Sequence, residues 1–463
     1  MLKTVFRLEL YTKRSVLIKC SIAVVLSVVL LLSVWQGHVR GMFGNGPMTV
    51  NETMIEEDII LPASFKKLNP ANNISLQHPN TRNGLWIKIS QSFIVRRIGY
   101  LDKRDLNNIT ITLLSMQDKR KHLPQEIFLK IYDQDNRVVA CLSTSFELGA
   151  LKGRDTYVLY LIRSSRLMDY QTKSISYVKI STNKQCVSDF DTILIRTVGD
   201  KPPKYDFGMC LHKAIENISP KVIHDWVKLN IALGAEVIML YLQTKAPQEI
   251  FNVLLPFINK GVVEVLDWQL EPPLTNVSSS SYGQTGVISE CIWYNMHRVK
   301  YLGLNDADEF FVPLKHNNVQ DMLRYLENIQ EARRAGSYIF TNALIKGHKV
   351  LPIVKKTLNS KKCDSLSVDT LPSYFKRSEY CLEKGGQSVK MIVKPDAVFT
   401  AWGHVLITYR SDKYTKEYII PDTLGLSYHY RSHWNNYHGC RTLRKETRII
   451  EKFFTNITQC NVV

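Results

Sequence analysis

Two carboxylates one residue apart, Asp306 and Asp308, are the residues whose types and spacing best suit chemistry. They follow a strand-like apolar run that ends at Leu304, and apolar residues resume at Phe310. In open α/β sheets ligands bind in the crevice beyond the strand ends, so such a strand points both carboxylates into that space. Carboxylate oxygens suit hard divalent cations such as Mn²⁺ and Mg²⁺, and a bound cation can hold a diphosphate. The pattern therefore predicts a metal and diphosphate site at Asp306 and Asp308.

A solvated loop and a calcium-binding EF-hand are the alternative explanations of this acidic segment. The EF-hand is disfavoured because no glycine and no twelfth-position glutamate follow at the required spacing. The solvated loop is disfavoured because the segment is bracketed by the apolar stretches LGL and FFV.

The composition favours a folded protein with an anionic partner. The chain has 463 residues, enough for two or three domains, and 45% of them are hydrophobic, enough for substantial cores. The formal net charge is +18, which suits an anionic ligand or a membrane surface. Lysine and arginine are scattered and no nucleic-acid-binding module is recognisable, so we expect no nucleic-acid partner.

The N-terminal region resembles a signal-anchor. Residues 1–15 are basic and would form a cytosolic tail, and the apolar residues 16–36 would form a single transmembrane helix. The uncharged part, residues 20–35, would span roughly 24 Å as a helix, and Lys19 can extend that length by snorkelling. A cleaved signal peptide is the alternative, but no small-x-small site follows the run. The rest of the chain is then luminal, as in a type II membrane protein.

Sequons and cysteines support a luminal location for the body of the chain. Six Asn-x-Ser/Thr sequons follow the apolar run, at Asn51, Asn73, Asn108, Asn217, Asn276 and Asn456. Eight cysteines also follow it, and an even number in an oxidising compartment predicts up to four disulfides, whose pairing the sequence does not give.

The luminal part divides into three predicted regions. Residues 37–85 are polar, rich in Asn and Pro, and are typical of a stem. Residues 86–190 contain seven short β runs at near-regular spacing, which predict a small sandwich that binds sugar or braces the next domain. In residues 191–463 helix-like and strand-like segments alternate, which predicts βαβ units and a doubly wound, mostly parallel α/β sheet.

Several stretches resemble glycosyltransferase family 92. They are CLHKAIENIS, HDWVKLNIALGAEVIMLYL, GQTGVISECIWYNMHRVKYLGLNDADEFFVP, SVKMIVKPDAVFTAWGHV and LGLSYHYRSHW. The resemblance implies a GT-A fold and an inverting galactosyltransferase of the Golgi membrane that uses UDP-galactose. The core fucose of N-glycans, in β1,4 linkage, is one acceptor that it implies. One departure is Leu242-Gln243-Thr244, where members of the family often have an Asp-Asn pair on the nucleotide side.

The resemblance extends the predicted metal site. A histidine near the end of the fold commonly supplies a third protein ligand, and His404 and His429 are the candidates, with packed histidines as the alternative. Glu309 either orients a ligand or serves the fold. Gln284 is implied as a donor-side residue, with a helix cap as the alternative, and Arg431 could reach a phosphate, with a surface role as the alternative.

An inverting transferase also needs a carboxylate that takes the proton of the acceptor hydroxyl. No spacing argument separates the four candidates, which are Asp364, Asp369, Glu379 and Asp396.

Two other functions remain open from the sequence. The first is a transferase for a different UDP-sugar, and the second is a non-catalytic, lectin-like membrane glycoprotein that kept the fold.

Overall fold

We describe the chain from a computed structural model. The described residues are 85–124, 126–149, 157–168, 175–187, 190–197, 202–215, 218–243, 246–269, 280–346, 379–382, 389–430 and 444–445. The predicted tail, transmembrane helix and stem lie outside these ranges, apart from residue 85. Within them, no helix is both long and apolar enough to cross a membrane. The sequon at Asn108 lies in an exposed loop. Residues 72–463 form one compact unit.

The first part of this unit is an eight-stranded antiparallel-rich sheet. Its strands are β1 (Trp86–Ser90), β2 (Phe93–Asp102), β3 (Thr110–Asp118), β4 (Phe128–Asp133), β5 (Val138–Leu148), β6 (Tyr157–Ser164), β7 (Ile175–Ser181) and β8 (Thr192–Thr197). The strand order is β1-β2-β3-β6-β5-β4-β7-β8. All seven predicted β runs are strands.

The arrangement of these strands differs from the predicted sandwich. β8 pairs with β2 in parallel, with Ile98 opposite Leu194, so the sheet closes on itself as a barrel around its own apolar core. The predicted boundary at residue 191 assigns β8 to the following domain instead. The prediction was wrong because the β2–β8 pairing joins segments almost a hundred residues apart, and strand periodicity carries no information about such a partner.

The second part begins with four parallel strands and three helices. In chain order they are β9 (Tyr205–Leu211), α1 (Pro220–Ala232), β10 (Val237–Leu242), α2 (Gln248–Asn259), β11 (Val263–Asp267), α3 (Ser280–Asn295) and β12 (Val299–Asn305). The strand order is β11-β10-β9-β12, and each neighbouring pair is parallel. The order reverses between β9 and β12, which creates the crevice where α/β sheets bind ligands.

Local sequence explains these elements. The apolar run Val237–Leu242 is entirely buried in β10, as expected of a strand covered on both faces. Pro220 lies in the first turn of α1, where its missing N–H is not needed. Gly234 follows the helix at φ +103°, a conformation that favours glycine.

The remaining strands turn the fold into a mixed, strand-rich structure. They are β13 (Glu309–Pro313), β14 (Ser337–Phe340), β15 (Asn342–Lys346), β16 (Glu379–Leu382), β17 (Lys390–Val393), β18 (Val398–Trp402), β19 (Val405–Tyr409), β20 (Tyr418–Ile419), β21 (Gly425–His429) and β22 (Arg444–Lys445). Two short helices, α4 (Val319–Glu327) and α5 (Gln330–Arg334), follow β13.

β17, β14 and β20 continue the main sheet beyond β12, and β17 is antiparallel to both β12 and β14. β14 and β20 are parallel to each other, so six of the seven described strands of the main sheet run in one direction and β17 is the exception. The predicted mostly parallel sheet is therefore confirmed for the main sheet, and what the prediction lacked is the antiparallel β17 and the second sheet. A second sheet has the order β13-β21-β15-β16-β22 and carries the chain directly after Asp308.

The barrel packs against the second part through a buried arginine. The Arg96 guanidinium, on β2, donates two hydrogen bonds to the Glu290 carboxylate of α3, at 2.7 and 3.1 Å, and one to the backbone oxygen of Asp267. It also lies 5.3 Å from the Trp86 ring and 5.0 Å from the Trp268 ring, so two aromatic rings help to stabilise its charge. These contacts indicate a bracing role for the barrel.

Two disulfides are described, Cys141–Cys186 in the barrel and Cys210–Cys291, which joins β9 to α3. Cys210 and Cys291 are separated by 81 residues, so their link constrains a large loop of the unfolded chain. We expect the double substitution Cys210→Ala, Cys291→Ala to lower the free energy of unfolding by about 2–5 kcal/mol. Denaturant unfolding would measure the loss, and equal stability of variant and parent would contradict it.

Candidate active site

The crevice between β9 and β12 holds the first carboxylate of the acidic segment. Asp306 directly follows β12, and His212 directly follows the neighbouring strand β9. Their side chains meet, with His212 Nε2 2.7 Å from Asp306 Oδ1, and the His212 side chain is 1% exposed. His212 was not among the predicted site residues. The signal was available, because the strand-like run that ends at Leu211 terminates in a polar residue just as the run before Asp306 does.

A buried lysine from β17 completes this part of the site. Lys390 Nζ lies 3.0 Å from Asp306 Oδ2 and 2.8 Å from Glu309 Oε2, and its side chain is 2% exposed. Burial opposes the charge of Lys390, but Glu309 and Asp306 outweigh it and raise the lysine pKa above its ordinary value. Burial likewise opposes the charge of Asp306, but His212 and Lys390 hold the pKa of that carboxyl well below its usual range.

Glu309 connects the two halves of the acidic segment. Its Oε2 accepts a hydrogen bond from the backbone N–H of Asp306 at 3.0 Å, and its Oε1 lies 3.3 Å from His429 Nδ1. Glu309 begins β13 and stands opposite His429 in the antiparallel pairing with β21. Its side chain is 1% exposed, so its position is set by these contacts. Glu309 orients the groups around it.

Asp308 and His429 form the open half of the site. Asp308 Oδ2 lies 3.3 Å from His429 Nε2, and the Asp308 side chain is 43% exposed. The backbone N–H of Tyr430 donates to the backbone oxygen of Asp308 at 2.8 Å, which fixes the acidic turn against the end of β21. His429 Nδ1 also lies 3.2 Å from the side-chain amide nitrogen of Asn342. In the tautomer that carries its proton on Nδ1, Nε2 presents its lone pair beside Asp308. A carboxylate behind a histidine is the usual support for a metal ligand.

The structure places the other predicted ligands at different positions. His404 contacts the backbone oxygen of Val389 through Nδ1 at 2.8 Å. Burial, together with the nearby Lys390 charge, lowers its pKa. Gln284, on α3, does reach the crevice, since a Cβ built on Gly403 would lie 3.9 Å from Gln284 Nε2 and 3.3 Å from His212 Cε1. Arg431 lies outside the described residues.

The four candidate bases are also separated by the structure. Asp364 and Asp369 lie outside the described residues. Asp396 lies toward the start of β12, at the opposite end of the strands from Asp306, because β17 runs antiparallel to β12. There it accepts a hydrogen bond from Tyr414 at 2.7 Å. The backbone of Glu379 pairs with Lys346, two residues beyond the β15 residue opposite His429. Of the four, Glu379 is the one whose described backbone lies toward the site.

The donor set of the open half fits a divalent cation. Asp308 offers a half-exposed carboxylate and His429 an oriented imidazole nitrogen within 3.3 Å of it. A mixed oxygen and nitrogen set suits a transition ion such as Mn²⁺ better than Mg²⁺, which prefers oxygen ligands and an octahedral shell. Asp306 is instead engaged by His212 and Lys390.

Comparison with known proteins identifies the family of this chain. The chain is 27% identical over 261 residues to the protein "Beta-1,4-galactosyltransferase galt-1" of Caenorhabditis elegans, an alignment that covers 53% of this chain and 58% of that relative. The sequence model of glycosyltransferase family 92 matches residues 205–460, more than half of the chain and all of the site described above. The chain therefore belongs to glycosyltransferase family 92.

Proposed function

We propose that this chain transfers galactose from UDP-galactose to a glycan acceptor, with inversion at the anomeric carbon and with a divalent metal, preferably Mn²⁺. We further propose that it is a single-pass type II protein of the Golgi membrane with a luminal catalytic part. Membership of the family supports glycosyl transfer. The relative's name supports galactose, and the net charge of +18 suits an anionic nucleotide sugar.

The observation that carries the proposal is the contact between Asp308 and His429 at the carboxyl end of β12. Asp308 and His429 would hold a divalent ion, which would supply positive charge to the leaving diphosphate. Glu309 holds His429 in the required orientation, and the antiparallel pairing of β13 with β21 sets the spacing of the two ligands. Gln284 and His212 both lie near Gly403, which supports a proposed contact of Gln284 with the nucleotide.

In the proposed transfer the acceptor oxygen attacks the anomeric carbon as the bond from that carbon to the diphosphate oxygen breaks. The bonding electrons leave with UDP, and the acceptor proton passes to a carboxylate. We propose Glu379 as that base, because its backbone lies toward the His429 end of the second sheet. The acceptor is a glycan hydroxyl, with the core fucose of N-glycans as the first candidate to test.

Substitution of Glu379 tests the assignment of the base. We expect Glu379→Gln to lower kcat by about 10²–10⁴-fold while the KM for the donor changes little, because the amide cannot take the acceptor proton. Asp396→Asn is the matched control, and its kcat should stay within about twofold of the parent. Steady-state assays on the purified full chain would measure both, and equal kcat for Glu379→Gln and the parent would remove Glu379 from the mechanism.

A donor panel tests the proposed substrate. The full chain would be incubated with Mn²⁺ and each of several UDP-sugars, and UDP release would be measured with and without fucosylated N-glycans. We expect acceptor-dependent release with UDP-galactose. Release with another donor would contradict the galactose assignment and leave the transferase. Glycan binding without release from any donor would favour the lectin-like alternative.

A further inference from the structure

A second group of metal-ligand atoms lies deeper than Asp308 and His429. Three residues, His212, Asp306 and Glu309, each offer one possible ligand atom, and these three atoms lie within 4.8 Å of one another. His212 and Glu309 have side chains that are each 1% exposed. His212 Nδ1 is buried and has no hydrogen-bond partner among the described residues. We call these three residues the inner cluster. Their types and their spacing are those of a possible second metal site.

A positive charge already bridges the two carboxylates of the inner cluster. Lys390 Nζ lies 2.8 Å from Glu309 Oε2 and 3.0 Å from Asp306 Oδ2. An ammonium at those distances satisfies both carboxylates with charge-assisted hydrogen bonds. A divalent ion that used the same two oxygens would stand within about 2–2.5 Å of each, so it and the ammonium exclude each other.

We propose that Lys390 is a built-in cation of the site, whose ammonium takes the place of a divalent ion between Asp306 and Glu309 and leaves Asp308 and His429 as the metal ligands. This inference rests on the proposed metal-dependent function. Lys390 acts as a positioning residue. It holds Asp306 and Glu309 close together before any metal arrives, and Glu309 in turn contacts His429. Asp306 thereby serves the site through His212 and Lys390 and not as a metal ligand.

Removing the Lys390 ammonium should open a second divalent-ion site, which a purely structural role of Lys390 would not predict. Replacing Lys390 with Met removes the ammonium and keeps most of the side-chain volume. The oxygens of Asp306 and Glu309 and the nitrogen of His212 then face one another without a counter-charge. We expect this variant to gain a second divalent-ion site, so that its Mn²⁺ stoichiometry is one ion per chain higher than that of the parent.

The test counts Mn²⁺ bound to the full chain, by electron paramagnetic resonance of the free ion during titration. We expect one ion for the parent, two for Lys390→Met and one for Lys390→Arg, which keeps the charge. Adding Asp308→Asn to Lys390→Met should return the count to one. Lys394→Met is the matched control, because Lys394 follows on the same segment and donates to the Arg333 oxygen, and its count should equal the parent's.

Thermal unfolding gives a second readout. Lys390→Met should unfold at a lower temperature than the parent, and saturating Mn²⁺ should recover more of the difference than it adds to the parent. Asp306→Asn covers the case in which Lys390→Met does not fold, and its Mn²⁺ Kd should stay within about threefold of the parent's. An unchanged ion count in folded Lys390→Met, or a loss of Mn²⁺ binding in Asp306→Asn as large as in Asp308→Asn, would overturn the proposal. Since these readouts do not involve sugar transfer, a wrong donor or acceptor leaves them unaffected.

Discussion

Replacing Asp308 with Asn should lower kcat for sugar transfer by about 10²–10³-fold, the size of effect seen when one preorganised charge contact to a developing anion is lost. Asn keeps the shape of Asp308 but removes the negative charge that stands 3.3 Å from His429 Nε2. The concentration of Mn²⁺ that gives half-maximal activity should rise together with the loss of kcat. Activity measured over a Mn²⁺ titration would separate the two effects.

His429→Ala should have a similar effect on the Mn²⁺ requirement, because it removes the second ligand and leaves Glu309 buried beside an empty position. Asp412→Asn is the control, since the Asp412 side chain is 67% exposed and contacts Arg410 on the surface. That variant should match the parent in kcat and in Mn²⁺ requirement. Parent-like activity in both Asp308→Asn and His429→Ala would contradict the assignment of the metal ligands.

The second large effect is expected at Arg96, which joins the barrel to α3. Arg96→Ala leaves the Glu290 carboxylate buried without its partner, and breaking a buried pair in this way costs about 3–5 kcal/mol. For a folded unit of this size the midpoint of thermal unfolding should fall by about 4–6 °C. Differential scanning fluorimetry of the full chain would measure the shift.

The neighbouring residue provides the control for that measurement. Arg97 pairs with Asp191, whose side chain is 55% exposed, and Arg97→Ala should cost at most about 1 kcal/mol. The double variant Arg96→Met, Glu290→Met should recover part of the loss, because it removes both charges together. Equal midpoints for Arg96→Ala and Arg97→Ala would show that the buried pair does not brace the two parts.

Features that depend on local sequence were predicted well. The seven β runs of the barrel and the helices α1 to α3 follow from apolar periodicity and from residues that begin or end helices, such as Pro220 and Gly234. The strand that ends in Asp306 was recognised because an apolar run stops abruptly at a carboxylate. The buried side chains that contact these elements were not predicted, because they come from distant parts of the chain.

Lys390 illustrates what local sequence does not predict. It lies 84 residues beyond Asp306 in a segment, SVKMIVKP, that reads as an ordinary strand with a solvated lysine. Only the antiparallel pairing of β17 with β12 brings its ammonium to the acidic turn. Closure of the barrel by β8 has the same cause. In both cases a pairing between distant strands decides the outcome, and periodicity does not encode the partner.

The most direct test of the account is sugar transfer by the full chain under controlled metal. The chain would be stripped with EDTA, and UDP release from UDP-galactose would be followed with a fucosylated N-glycan acceptor before and after Mn²⁺ is restored. The account predicts no release without metal, recovery with Mn²⁺, and at most about one hundredth of that recovery in Asp308→Asn. Full release from the metal-free chain, or full recovery in Asp308→Asn, would contradict the claim that Asp308 and His429 hold the catalytic metal.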